Sequence, residues 1–133
     1  MKILAISLTL FAITFAGCSK KKSAAAVGIP DGTYTGTFTR WPMATASTIT
    51  ITLKDKKFSG SSSLDNFPSI CHGFFVVENK SLMFLDICSS YYEQDPTLML
   101  NKEYEFSMDG RTLRFTRHYS DVKYDEYKLT RQP

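Results

Sequence analysis

The residues of this chain best equipped for chemistry are three cysteines (Cys18, Cys71, Cys88), two histidines (His72, His118) and two glutamates on alternate positions, Glu103 and Glu105. Cys71 beside His72 has the composition of a nucleophile with its base, or of two metal ligands. If the segment is a strand, however, neighbouring side chains leave opposite faces, so the sequence predicts that the pair does not meet. Neither histidine has a second ligand at a metal-site spacing, and no metal or cofactor is expected. Serine is plentiful, but no Gly-x-Ser-x-Gly elbow is present, and Ser61 to Ser63 read as a turn. Glu103 and Glu105 share one strand face opposite arginines, the pattern of a solvated ion-pair ladder. The sequence therefore offers no catalytic residues, and an enzyme is not expected.

The element that positions the cysteines is a hairpin. Val and Phe fill its first arm, Leu, Met, Phe and Ile its second, and Glu78, Asn79, Lys80 and Ser81 lie between as a polar turn. With Asn79 and Lys80 as the loop, Glu78 faces Ser81, and seven steps outward Cys71 faces Cys88. Such a pair is non-hydrogen-bonded, with Cα atoms about 4.5 Å apart, inside the range of a disulfide. Closing a loop of this size stabilises by about 3 kcal/mol in the loop-entropy model. A type I′ turn would hold Lys80 at positive φ, where Gly is preferred, so a slipped or longer turn is the alternative, and a one-residue slip breaks the match.

At the start of the chain Lys2 precedes an apolar run over residues 3–16, the pattern of a secretory leader too short to span a bilayer. Phe15, Ala16, Gly17 and Cys18 resemble the lipobox of bacterial lipoproteins, with Phe15 in place of the usual Leu. The resemblance implies cleavage before Cys18 and acylation of that cysteine. One lipidated cysteine leaves an even pair, as expected of a disulfide in an exported chain. Residues 18–30 then read as a tether, Lys20, Lys21 and Lys22 included. Ser19, where Asp would mark inner-membrane retention, points to the outer membrane, and the basic run, where a surface-export signal is acidic, to its periplasmic face.

Of the 133 residues, 17 belong to the leader and 116 remain, enough for one domain with one core. The net charge of +3 arises outside the domain. Setting aside Lys2, Lys20, Lys21 and Lys22 leaves 12 basic residues against 13 acidic, and a near-neutral domain has no electrostatic footprint for nucleic acid.

From Asp31 onward the chain alternates. Tyr34, Gly36 and Phe38 share one face of residues 33–40 and four threonines the other; Ile49, Ile51 and Leu53 oppose Thr48, Thr50 and Thr52 in residues 48–54. A short strand follows at 58–62, then the two arms of the cysteine hairpin. Residues 89–100 contain Pro96 and read as a connection with one helical turn. Asp109-Gly110 reads as the loop of a second hairpin, which sets Phe106 against Leu113 and Tyr104 against Phe115. A last strand over 123–131 places Tyr127 and Leu129 together. Eight antiparallel strands with short connections predict an all-β up-and-down barrel over residues 31–133, and eight is a number at which a sheet can close around one small ligand. A two-layer β-sandwich is the alternative.

Gly32-Thr33-Tyr34-Thr35-Gly36-Thr37-Phe38, Phe58-Ser59-Gly60-Ser61, Ile70-Cys71 through Cys88, Asp109-Gly110-Arg111-Thr112-Leu113 and Tyr127-Lys128-Leu129 together resemble the small lipocalin-like lipoproteins of Bacteroidetes-type bacteria. The resemblance covers most of residues 30–132 and implies an up-and-down barrel on a lipid anchor. Lipocalins of the familiar kind carry Gly-x-Trp on the first strand, where this chain has Gly36-Thr37-Phe38, and a helix after the barrel.

Two functional expectations follow. The inward residues Tyr34, Phe38, Phe75, Phe84, Tyr104, Phe106, Phe115 and Tyr127 are expected to line a site for a small apolar ligand, in a protein held at the membrane by its lipid. The runner-up is a non-catalytic structural or interaction lipoprotein whose barrel is filled by these same side chains and whose surface contacts an envelope protein. The cysteine hairpin bears on the choice, being apolar on both faces: a barrel hides Phe75, Val77, Leu82 and Phe84 but turns Phe74, Val76, Met83, Leu85 and Ile87 outward. That outer face is expected to be covered by the 89–100 connection or the N-terminal segment, or to meet a partner. Tyr91 and Tyr92 lie near the barrel end and read as loop packing, with the lining of a barrel mouth as the alternative.

Overall fold

A computed structural model describes residues 28–88 and 95–133. The leader, Cys18, the tether as far as residue 27 and the tyrosines at 91 and 92 lie outside these; of the tether's last three residues, Ile29 is buried in the core. Eight strands run in order: β1 (Gly32–Trp41), β2 (Ala46–Lys54), β3 (Lys57–Ser62), β4 (His72–Glu78), β5 (Ser81–Asp86), β6 (Glu103–Asp109), β7 (Thr112–His118) and β8 (Tyr124–Arg131). Each pairs antiparallel with the next and β8 returns to β1, closing an up-and-down barrel. Closure settles the architecture in favour of the barrel over the sandwich.

Period-two alternation decides which side chains enter. Tyr34 and Phe38 from β1, Ile49, Ile51 and Leu53 from β2, and Leu113, Phe115, Tyr127 and Leu129 from β7 and β8 are all buried, while the threonines of β1 and β2 face outward or lie between the strands. At the closing seam Gly36 lies opposite Leu129, and a Cβ there would run into the Lys128 carbonyl, so the backbones approach as they do because this position is glycine. The end of β8 stays beside the start of β1, with the Gln132 amide donating to the Thr33 carbonyl at 2.7 Å.

The cysteine hairpin has the expected register, Glu78 facing Ser81 and Gly73 facing Asp86. Asn79 takes positive φ at 54° and Lys80 does not, which removes the objection to Lys80 in the loop. Cys71 and Cys88 form a disulfide with Cα atoms 6.3 Å apart. That spacing is wider than the ladder value because both cysteines lie just beyond the strand ends, where the arms splay.

The second hairpin differs from its expected register. Phe106 faces Phe115 and Met108 faces Leu113, because Gly110 and Arg111 form the loop and Asp109 stays in the ladder opposite Thr112. Gly110, at φ 56°, supplies the positive φ that a Gly-first two-residue turn needs. The shift is two residues, so every side chain keeps its face. It does undo the expected ion-pair ladder. Arg114 lies across from Ser107 and its Nε is 3.7 Å from Glu126, whereas Glu103 accepts a 2.6 Å hydrogen bond from Ser81.

Candidate functional site

All eight residues expected to line a ligand site are buried inside the barrel. Six of them, Phe38, Phe75, Phe84, Tyr104, Phe115 and Tyr127, form one connected array of rings. Phe115 stacks on Tyr127 at 4.3 Å and 12°, Tyr104 meets Phe115 edge-on at 5.3 Å, and Phe84 reaches Phe115 at 5.4 Å and Phe58 at 5.1 Å. Phe75 joins through Phe84 at 6.4 Å, and Phe38 through Tyr127 at 4.8 Å. These are the separations at which aromatic pairs attract one another. Tyr34 and Phe106 stand apart from the array; the Tyr34 hydroxyl donates to the Pro30 carbonyl at 2.6 Å near the start of β1. Desolvation pushes the Tyr104 and Tyr127 phenols well above their ordinary range, so both stay neutral in the core.

One end of the barrel is closed by a polar cluster absent from the sequence reading. Arg40 and Asp125 are 3% and 1% exposed, and the guanidinium grips the carboxylate through two bonds of 2.7 Å. The remaining donors of Arg40 reach Thr97, at 3.0 Å to its hydroxyl and 2.9 Å to its carbonyl. The Tyr119 hydroxyl lies 2.7 Å from the Asp125 carboxylate and 3.0 Å from the Thr97 carbonyl. Burial, and then the bond to Asp125, push the Tyr119 phenol up to about 12. Asp95 receives both the amide and the hydroxyl of Thr97, which lower its carboxyl. Parity carried the signal: Arg40 continues the inward series of Tyr34 and Phe38, and Asp125 that of Tyr127 and Leu129.

Thr97 belongs to the connection expected to cover the outer face of the cysteine hairpin. Its described part serves the barrel end instead. A single turn closes where the Leu98 amide donates to the Asp95 carbonyl, and the segment bridges to Ser69 through two backbone bonds. Leu100 is buried and Leu98 packs against the core. Among the described residues nothing covers the outer face of β4 and β5: Phe74, Val76, Met83, Leu85 and Ile87 are 44–56% exposed. Beside it runs a groove of about 920 Å³ with Val76 and Met83 on its apolar wall and Glu78, Glu103, Glu105, Lys80 and Arg117 among its polar lining. None of these three glutamates is in an ion pair among the described residues.

His72 departs from its expected position. Its Nδ1 lies 3.2 Å from the Cys71 sulfur and 3.1 Å from that of Cys88. The alternation rule fails here because β4 begins at His72, so Cys71 lies outside the pleat and its side chain is free to turn toward the ring.

Comparison with protein-family models, curated proteins and solved structures finds no match to this chain. The site must be read from its own geometry.

Proposed function

We propose that this protein is a non-catalytic interaction module: a barrel filled by its own side chains that presents the outer face of β4 and β5 to another envelope protein. The observation that carries the reading is the contiguous strip of Phe74, Val76, Met83, Leu85 and Ile87, exposed among the described residues beside a groove of mixed charge. The groove carries both signs of charge, Glu78, Glu103 and Glu105 with Lys80 and Arg117, so the occupant is specified as an apolar segment with a mixed-charge rim. The ring array supports the filled interior, since residues available to line a ligand site are engaged with one another. The reading keeps a leader, lipidation at Cys18 and the periplasmic face of the outer membrane, and it keeps kinship with the small lipocalin-like lipoproteins as a proposal.

Photo-crosslinking side chains placed at Met83 or Leu85, with Thr50 on β2 as the control away from the strip, test it in cells. A discrete protein adduct is expected from the strip and none from Thr50. Glu at the unlabelled strip position should abolish the adduct while folding stability stays within about 0.5 kcal/mol. The absence of an adduct would overturn the docking of a partner on the strip, and a small apolar molecule retained in native mass spectra and lost in Phe84→Lys would overturn the filled-barrel reading in favour of carriage.

A further inference from the structure

Cys71, His72 and Cys88 bring two sulfurs and a ring nitrogen within 4.8 Å of one another at one end of the β4–β5 hairpin. We infer that, once its disulfide is reduced, this end of the hairpin binds a thiophilic divalent cation of the Zn²⁺ type, through the sulfurs of Cys71 and Cys88 and Nδ1 of His72.

The first argument is distance. At ordinary Zn–S and Zn–N lengths, a tetrahedral ion holds two sulfurs roughly 3.8 Å apart and a sulfur and a nitrogen roughly 3.5 Å apart. Nδ1 already lies 3.1 Å and 3.2 Å from the two sulfurs, so the ring needs to retreat by less than about half an ångström as the ion enters. The sulfurs themselves must separate, which rotation about the two Cα–Cβ bonds provides without moving the backbone.

The second argument is that the disulfide is not alone in holding the two cysteines together. The Cys71 carbonyl accepts from the Gly60 amide at 2.9 Å, and the Cys88 amide donates to the Asp86 carboxylate at 2.9 Å. Between them the Ile87 amide donates to the His72 carbonyl at 3.0 Å, completing the ladder as far as the cysteines. Three hydrogen bonds independent of sulfur thus fix both backbones and the histidine, and a reduced pair stays within reach of one ion. His72 is exposed and both cysteines are partly so, which admits reductant and metal and leaves a fourth coordination position open to solvent.

The chemistry balances as follows. A small dithiol transfers two electrons and two protons to the Cys71–Cys88 bond, leaving two protein thiols and a cyclic disulfide of the reductant. The cation then displaces both thiol protons as two metal–sulfur bonds form, and Nδ1 contributes its lone pair with the ring proton on Nε2. In the oxidised form the sulfurs are bonded to each other and no such site exists, so the site is opened by reduction and closed by oxidation.

Titration of the full chain with Co²⁺ as an optical substitute for Zn²⁺, before and after reduction, tests the inference. The expected result is thiolate-to-cobalt absorption at one equivalent in the reduced chain alone, bleached by Zn²⁺. Cys71→Ser with Cys88→Ser should remove it, and His72→Ala should weaken Zn²⁺ binding at least about tenfold, since even outer-shell partners of a metal ligand are worth that much. No absorption in the reduced chain, or equal affinity in His72→Ala, would overturn it. If reduction unfolds the chain, Zn²⁺ either restores its circular dichroism, as the site requires, or fails to, which refutes it.

Discussion

Two flanks of the barrel, built from the same alternating pattern, are finished differently. Around β1 the ladders are long, with eight register pairs to β2, eight to β8, and seven from β7 to β8. Its outer surface is threonine as far as the half-exposed Trp41, and the end of β1 is locked by Arg40 to Asp125 on β8. The β4–β5 hairpin is attached to its neighbours by three pairs on either side, at Lys57 to Ser59 and at Ser81 to Met83. Its outer surface is apolar, and its open end is closed by the disulfide. One flank is held by its neighbours; the other is held by its inner face and by sulfur, and offers its outer face. Opening free energies differ across a structure with the density of such contacts, so the two flanks should respond unequally to perturbation.

The largest effect is expected on the long-ladder flank. Asp125→Ala leaves the Arg40 guanidinium buried without its partner and should cost about 3–5 kcal/mol in denaturant unfolding, whereas replacing both residues by apolar ones of similar volume should recover most of that loss. Equal destabilisation by the double replacement would mean that the network sets the fold of this end. Next is the hairpin. Cys71→Ser with Cys88→Ser should cost about 2–4 kcal/mol and accelerate amide exchange in β4 and β5 ahead of β1 and β8. Uniform acceleration around the barrel would erase the distinction between the flanks. The mildest probe is alkali. Tyr119 has its folded value raised to about 12 from an ordinary 10, so its contribution is fully present below pH 10 and is lost as pH rises toward 12. Stability measured across that window should fall, and fall less in Tyr119→Phe.

What could be read in advance followed from the two-residue period. The inward faces of seven strands and the cysteine register needed only which side chains alternate and where turns fall; alternation suits a sandwich as well as a barrel, and closure was suggested by the strand count alone. Turn chemistry was less decisive. Asp109-Gly110 and Gly110-Arg111 are both acceptable two-residue loops, and they differ by a shift that preserves every face, so hydrophobic pattern could not choose between them. Residues 97–100 carry no period, and their role as an end cap depends on Arg40 and Asp125, which lie far apart in sequence and meet through barrel closure. The histidine beside the cysteines was misplaced because a strand rule was applied one residue beyond the strand.

The hydrogen bond from Gln132 to Thr33 carries a consequence for orientation. It sets the last turn of the chain beside the first strand, at the end of the barrel that also holds the loops at Asp55-Lys56, Asn79-Lys80 and Gly110-Arg111. If Cys18 is lipidated as proposed, the domain is tethered through the start of β1 and would hang from that end like a bell from its crown. The Arg40 cluster and the Cys71–Cys88 end would then point away from the bilayer, and the apolar strip would stand upright along the wall between, turned toward whatever stands beside the protein on the same membrane.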